Sequence, residues 1–236
     1  MVSKQQETLK IQGTANKRRE NGYAKGVVAR SDEQKQALRS IHENEITFIS
    51  GRAGSGKTYL ALHYGMTAFI KGTYETVVFT RPCVEAYGEK LGYLPGGADE
   101  KIAPYMIPLF DLLYQRYTKS QVERWIREGK IITVPLALMR GLTFNNCYVV
   151  ADEMQNCVSS QMRLLLTRIG ENSKIVVTGD IGQTDIHGSN GMADAVDWFH
   201  GVEGIASIEL TSKSVVRNPL INTIEDIYAS NLQKER

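Results

Sequence analysis

An apolar run, a glycine-rich loop and a helix-like run follow one another between residues 45 and 71, and no other segment restricts the fold so strongly. EITFIS (45–50) reads as a short buried strand, residues 51–56 as a loop, and Lys57 to about Lys71 as a helix. Gly51-Arg52-Ala53-Gly54-Ser55-Gly56-Lys57-Thr58 fits the pattern G-x-x-x-x-G-K-[ST]. Main chain wrapped around phosphates needs torsions that side chains obstruct, which accounts for the glycines. The loop amides then point inward and meet the positive end of the following helix. Lys57 is placed to reach the β- and γ-phosphates, and the Thr58 hydroxyl to ligate Mg²⁺. Tyr59 follows directly and is grouped with residues 51–58 as the nucleotide-binding stretch. The plain alternative is a glycine-rich turn without a ligand.

The rest of the chain repeats the alternation of strand and helix. Ser31 is a plausible N-cap, with Gln34 three residues on, for a helix to about Ile41. Further strands are expected at 76–80, 130–134, 147–152, 174–180 and 207–211, and helices at about 99–116, 119–128, 159–169 and 219–231. The strands are apolar throughout, as in a sheet covered on both faces. The fold class is therefore α/β, a mostly parallel sheet flanked by helices. Residues 1–30 form a basic N-terminal extension and 31–236 one domain, with a helical insertion at 83–130.

A phosphate loop of this kind needs an acidic residue at the end of a neighbouring strand. CYVVADE (147–153) supplies it: Asp152 is the Mg²⁺ candidate, and Glu153 the candidate base for the attacking water. The next strand ends in TGDIGQ (178–183), where the Gln183 amide is placed to touch the γ-phosphate or that water and so report the bound state. A plain turn is the alternative there. Gln34 carries a donor and an acceptor and suits an adenine edge, against an exposed helix glutamine. Arg217, in SVVRNPL, suits neutralisation of the transferring phosphoryl group, against a surface arginine.

Composition excludes little and fits the same picture. The chain has 236 residues, 42% hydrophobic and 23% charged, with net charge +2. No run approaches the roughly 18 apolar residues of a membrane span, and the first 20 residues do not read as a secretory signal. Three separated cysteines with no C-x-x-C suggest neither zinc nor a disulfide frame, so a reduced, cytoplasmic protein without membrane contact is expected. Residues 1–30 hold seven basic side chains against Glu7 and Glu20: either a solvated arm, or one that meets phosphates or a neighbouring subunit.

Together, GRAGSGKT, TRPCVEAYGEKLGYLPG, EKIAPYMIPLFDLL, MRGLTFNN, VVADEMQN, TGDIGQTD and SVVRNPL resemble the PhoH-like proteins, in order, over about residues 31–231. That family is named for a phosphate-starvation protein and occurs in bacteria and phages. The resemblance implies a P-loop NTPase of RecA-like, superfamily 1 helicase-like type. It implies ATP and Mg²⁺ as cofactors, an association with RNA that is remodelled or unwound, and a homo-oligomeric, hexameric ring. Asp152, Glu153, Gly179, Asp180 and Gln183 match its second and third nucleotide motifs, and Arg217 the arginine of its V-V-R-x-P-L segment. An upstream glutamine reads adenine in such helicases, which strengthens Gln34. The family pattern has arginine where Leu142 stands and alanine where Met154 stands. The first difference removes a nucleic-acid contact; the second is apolar for apolar. A fused nuclease domain does not fit in this length, so no ribonuclease activity is expected.

One ATPase core is not a translocating motor, which needs two. Mechanical work then requires a second copy and an arginine supplied in trans, Arg217 first and Arg81 second. Tyr87, Tyr93, Tyr105, Tyr114, Tyr117 and Trp125 in the insertion either pack helices or stack bases. Arg81, Lys90 and Arg140 are the cations for RNA contact. The leading expectation is an Mg²⁺-dependent ATPase coupled to RNA or single-stranded DNA. The alternatives are a nucleotide-gated assembly protein with slow turnover and a P-loop small-molecule kinase. Glu153 weighs against the kinase, because a water-activating group is a liability when another acceptor is wanted.

Overall fold

The computed structural model describes residues 27–82, 98–183 and 190–211, with residues 223, 224 and 227. The chain enters through α1 (Asp32–Glu43), β1 (Ile46–Gly51), α2 (Lys57–Ile70) and β2 (Thr76–Thr80). Next come α3 (Ala98–Tyr114), α4 (Lys119–Arg127), β3 (Ile131–Thr133) and β4 (Cys147–Ala151). It continues through α5 (Ser159–Leu166), β5 (Lys174–Gly179), α6 (Gly191–Trp198) and β6 (Ile205–Leu210). The six strands pair in parallel in the order β3-β2-β4-β5-β1-β6. Every strand therefore ends at the same edge, and β5 separates the phosphate-loop strand β1 from the acidic strand β4. Open parallel sheets bind ligands at that carboxyl edge.

Side chains alternate across the strands and feed two cores. Tyr148 and Val150 of β4 face the cluster containing Ala37, Leu60, Leu62, Met66, Leu109 and Trp125. Val149 and Ala151 face the cluster with Met154, Met162, Leu165 and Met192. Both faces are buried, which explains the uninterrupted apolar strands. Helix α2 lies deep in the first core. The Tyr148 hydroxyl donates to the Ala61 carbonyl at 3.0 Å, and a Cβ at Gly65 would sit 2.2 Å from the Tyr148 ring. This close approach fixes the phosphate-loop helix against the acidic strand.

The insertion is part of the core in its described portion. Met106, Leu109 and Leu113 of α3 and Val122 and Trp125 of α4 are buried in the first cluster. Tyr117 and Trp125 pack on each other with centroids 5.3 Å apart, so these two aromatics pack helices. Tyr114 is exposed and Tyr105 half-buried; Tyr87 and Tyr93 lie outside the described residues. Helix α6 has no counterpart in the sequence reading. Its Asn190 N-cap accepts from the Met192 and Ala193 amides, but the surrounding glycines disguise it as loop. Of the expected closing helix, residues 223, 224 and 227 are described, and they are helical. The 1–26 arm lies outside the description. No helix among the described residues is long and apolar enough to cross a membrane.

Candidate nucleotide site

The phosphate loop leaves β1 and turns through glycines at positive φ, with Gly56 at 90° immediately before α2. A side chain there is strained, and its Cβ would meet the Gln34 amide at 3.1 Å. Gly56 is the N-cap of α2 and brings no side-chain cap, so the main chain of the first turn faces the loop. Lys57 lies back across the loop: Nζ donates to the carbonyls of Gly51, at a short contact, and Arg52, at 3.0 Å. Arg52 and Ala53 are exposed on the outer bend, whereas Ser55 is buried.

The acidic strand meets the loop through one carboxylate oxygen. Asp152 Oδ1 accepts from the Thr58 hydroxyl at 2.7 Å and from the Thr178 hydroxyl at 2.6 Å. Asp152 is 3% exposed. Burial raises its pKa above the ordinary carboxylate value, and the adjacent Glu153 adds to this; the two hydroxyl bonds and Arg81 oppose it. Thr58 and Asp152 provide the hard oxygen donors that Mg²⁺ prefers, and a divalent charge there would offset the burial of the carboxylate. Among the described residues no group of three His, Cys, Asp or Glu side chains forms a metal cluster. Mg²⁺ at phosphate sites uses one or two protein ligands, with water and phosphate completing the shell. The donor set therefore fits the ion.

Glu153 has a different setting. Its backbone is left-handed (φ 54°, ψ 37°), a conformation that costs about 1 kcal/mol or more outside glycine. Arg81, at the end of β2, approaches Glu153 Oε1 at 3.4 Å and also donates to the Tyr105 carbonyl of α3 at 3.3 Å. Gln155 donates to Glu153 Oε2 at 2.6 Å. Arg81, second choice for an arginine acting in trans, is thus engaged with the acid of its own chain.

Gln34 is neither exposed nor directed to open space. It is 4% exposed; Nε2 donates to the Ser55 carbonyl at 2.9 Å, and Oε1 accepts from the Arg30 amide at 2.8 Å. The Ser31 hydroxyl caps the helix by accepting from the Gln34 amide at 3.1 Å. In this arrangement Gln34 braces the phosphate loop. Its neighbour Glu33 accepts from the Thr211 amide and hydroxyl at 3.0 and 2.6 Å, tying α1 to the end of β6. Tyr59 turns into the first core, its ring edge-on to His63 at 4.4 Å.

The structure thus gathers residues 51–58, Gln34, Asp152 and Glu153 at one edge. Gln183 is exposed in the turn after β5, with its amide donating to the Asp180 carbonyl at 3.0 Å. Arg140 is exposed, and Arg217 and Lys90 lie outside the described residues. Sequence reasoning missed Thr178 and Gln155. Thr178 was detectable only through register: Ala151 pairs with Val177, which sets Asp152 beside Thr178. Gln155 had no such signal.

A family model described as PhoH-like protein matches residues 26–229. The chain is 39% identical over 229 residues to a PhoH-like protein of Synechocystis sp., covering 96% of this chain and 69% of the relative. It is 40% identical over 210 residues to one of Bacillus subtilis, covering 88% and 66%. It is 35% identical over 207 residues to protein PhoH of Escherichia coli, covering 86% and 58%. The chain therefore spans between about half and two thirds of the length of most of these relatives. Among solved structures, a thermophilic bacteriophage large terminase in complex with ADP aligns with TM-score 0.49 and 12% identity, covering 83% of this chain and 49% of that one. The helicase domain of Pyrococcus furiosus Hef aligns with TM-score 0.47 and 14% identity, covering 80% and 41%. With a family model spanning nearly all of its described core, the chain belongs to the PhoH-like family.

Proposed function

We propose that the chain is an Mg²⁺-dependent ATPase whose turnover is coupled to RNA or single-stranded DNA in a ring of identical subunits. The observation that carries the nucleotide part is the 2.7 Å contact between Thr58 Oγ1 and Asp152 Oδ1. It joins the loop that suits phosphates to the carboxylate that suits their counter-ion. When bound there, Mg²⁺ supplies neutralisation of charge on the β- and γ-phosphates. The loop amides and Lys57 bind and orient the triphosphate, Lys57 exchanging its carbonyl partners for phosphate oxygens. Thr178 keeps Asp152 in place for the ion. Glu153 takes a proton from the attacking water, and Gln34 holds the loop in register.

Coupling to nucleic acid rests on family membership, the exposed Arg140 and the single ATPase core. In a ring the nucleotide sits between copies, and Arg217 is the arginine we assign to the neighbouring site. Steady-state phosphate release, with and without RNA or single-stranded DNA, tests this for the native chain and for Lys57→Ala. Stimulation by nucleic acid, lost in the variant, is the expected result. Slow unstimulated release with ATP-dependent assembly would replace it with the assembly reading, and phosphate moved to a metabolite with the kinase reading. Sedimentation as a monomer at every concentration, with or without ATP, would remove the ring.

A further inference from the structure

We infer that Gln155 is a positioning residue for hydrolysis, tying the Glu153 carboxylate to the tip of β5 through one buried carboxamide. The inference rests on the ATPase reading above. Glu153 leaves the sheet in a left-handed conformation and opens the short 3-10 turn Met154–Asn156, so its carboxylate sits one reversal away from the rigid strand β4. Gln155 lies in that turn and is 5% exposed. Its Nε2 donates to Glu153 Oε2 at 2.6 Å, while its Oε1 accepts from the Asp180 amide at 3.1 Å. The two ends of a carboxamide are rigidly related. A shift of the β5 tip therefore moves the donor that orients the acid.

The surroundings leave the carboxamide little freedom. A Cβ at Gly179 would lie 2.6 Å from Gln155 Oε1 and 2.6 Å from Met192 Sδ, so the bare backbone of Gly179 makes room for this link. The Asp180 amide that Gln155 holds opens the turn carrying Gln183: the Asp180 carbonyl accepts from the Gln183 amide at 3.0 Å, and its Oδ1 from the Gly182 amide at 3.1 Å. The other side chain on Glu153, Arg81, stands farther off at 3.4 Å and is partly exposed. The shorter Gln155 bond holds the acid more closely than the ion pair does, and it joins the acid to the segment expected to sense the γ-phosphate.

Two substitutions separate this role from simple support of the turn. Gln155→Glu keeps an acceptor for the Asp180 amide but replaces the donor to Glu153 with a second carboxylate. Gln155→Leu removes both bonds. We expect kcat for phosphate release to fall at least about tenfold in both, with KM for ATP and the affinity for a fluorescent ATP analogue with Mg²⁺ within about threefold of native. A Gln155→Glu protein that keeps native kcat overturns the inference, as does one that loses nucleotide affinity in proportion to kcat. Should Gln155→Glu not fold, Gly179→Ala crowds the carboxamide from the β5 side and is judged by the same split. A native chain that binds ATP and Mg²⁺ but releases no phosphate overturns the ATPase reading and this inference with it. Native turnover with unaffected variants overturns this inference alone.

Discussion

The two ends of the sheet hold cavities of different size and different lining. Beside the phosphate loop a groove of about 700 Å³ runs past Arg52, Asp180 and Glu209. At the other end, where the strands begin, a cavity of about 1020 Å³ is lined by Tyr64, Tyr74, Lys174 and Glu203. In the larger cavity the polar groups serve the fold. The Lys174 ammonium there donates to the carbonyls of Ile41, His42 and Asn44, closing the C-terminus of α1. His42 Nδ1 pairs with the Tyr64 hydroxyl at 3.0 Å. These polar groups satisfy one another. At the carboxyl edge, Gln34, Lys57, Thr58, Asp152 and Glu153 converge from three segments, and that convergence, not volume, marks the candidate site.

If the ends differ in this way, substitutions at the carboxyl edge change turnover and those at the opposite end change stability. Lys57→Ala should cut phosphate release by about 100-fold or more, as loss of a charge clamp on a transferring phosphoryl group does. Glu153→Gln should lower kcat by about 100-fold or more while nucleotide affinity stays near native, because it removes a base and no phosphate ligand. Gln34→Ala should weaken nucleotide binding by about tenfold, equivalent to roughly 1.4 kcal/mol, since the Ser55 carbonyl loses its brace; equilibrium titration with a fluorescent nucleotide reads this. Lys174→Met should leave kcat and KM unchanged and lower stability by about 1–3 kcal/mol, the cost of unpaired buried carbonyls, measured by denaturant unfolding. A loss of turnover in Lys174→Met, in fully folded protein, would erase the contrast between the ends.

The smallest effect at neutral pH belongs to His63, on the buried side of α2. Burial, reinforced by Arg116, lowers its pKa to about 3. The unfolded chain takes up a proton near pH 6.5 while the folded chain does not, so acid favours unfolding. Between pH 6.5 and about 3 this group removes stability at up to about 1.4 kcal/mol per pH unit. His63→Leu should flatten that part of the profile in pH-dependent melting and leave stability near pH 7.5 little changed.

What was legible in the sequence follows the same division between local and non-local causes. The phosphate loop, β1, β2 and the Asp152-Glu153 pair were readable because glycine spacing and apolar runs are local signals. The strand at 76–80 was placed at its observed bounds, whereas β6 begins at Ile205 and not 207, since Gly204 and Ala206 look like turn. Thr178 and Gln155 act through parallel register and a left-handed turn, which no local pattern announces. Gln34 was picked out as a site residue, but its bond to the Ser55 carbonyl, 21 residues away in sequence, depends on how α1 packs. Two helices of the insertion were foreseen, and packing was one of the two readings of their aromatics; which surface would cover them was not, because amphipathic spacing does not say.

In the proposed function, Lys57, Thr58 and Asp152 hold a triphosphate and its Mg²⁺ at the carboxyl edge. Calorimetric titration of ATP into the native chain and Asp152→Asn, each with and without magnesium, tests it most directly. Saturable binding to the native chain is expected, strengthened by magnesium about tenfold or more, with that strengthening lost in the variant. No heat of binding from folded native protein at millimolar ATP and magnesium would contradict it, as would a magnesium effect that survives in Asp152→Asn.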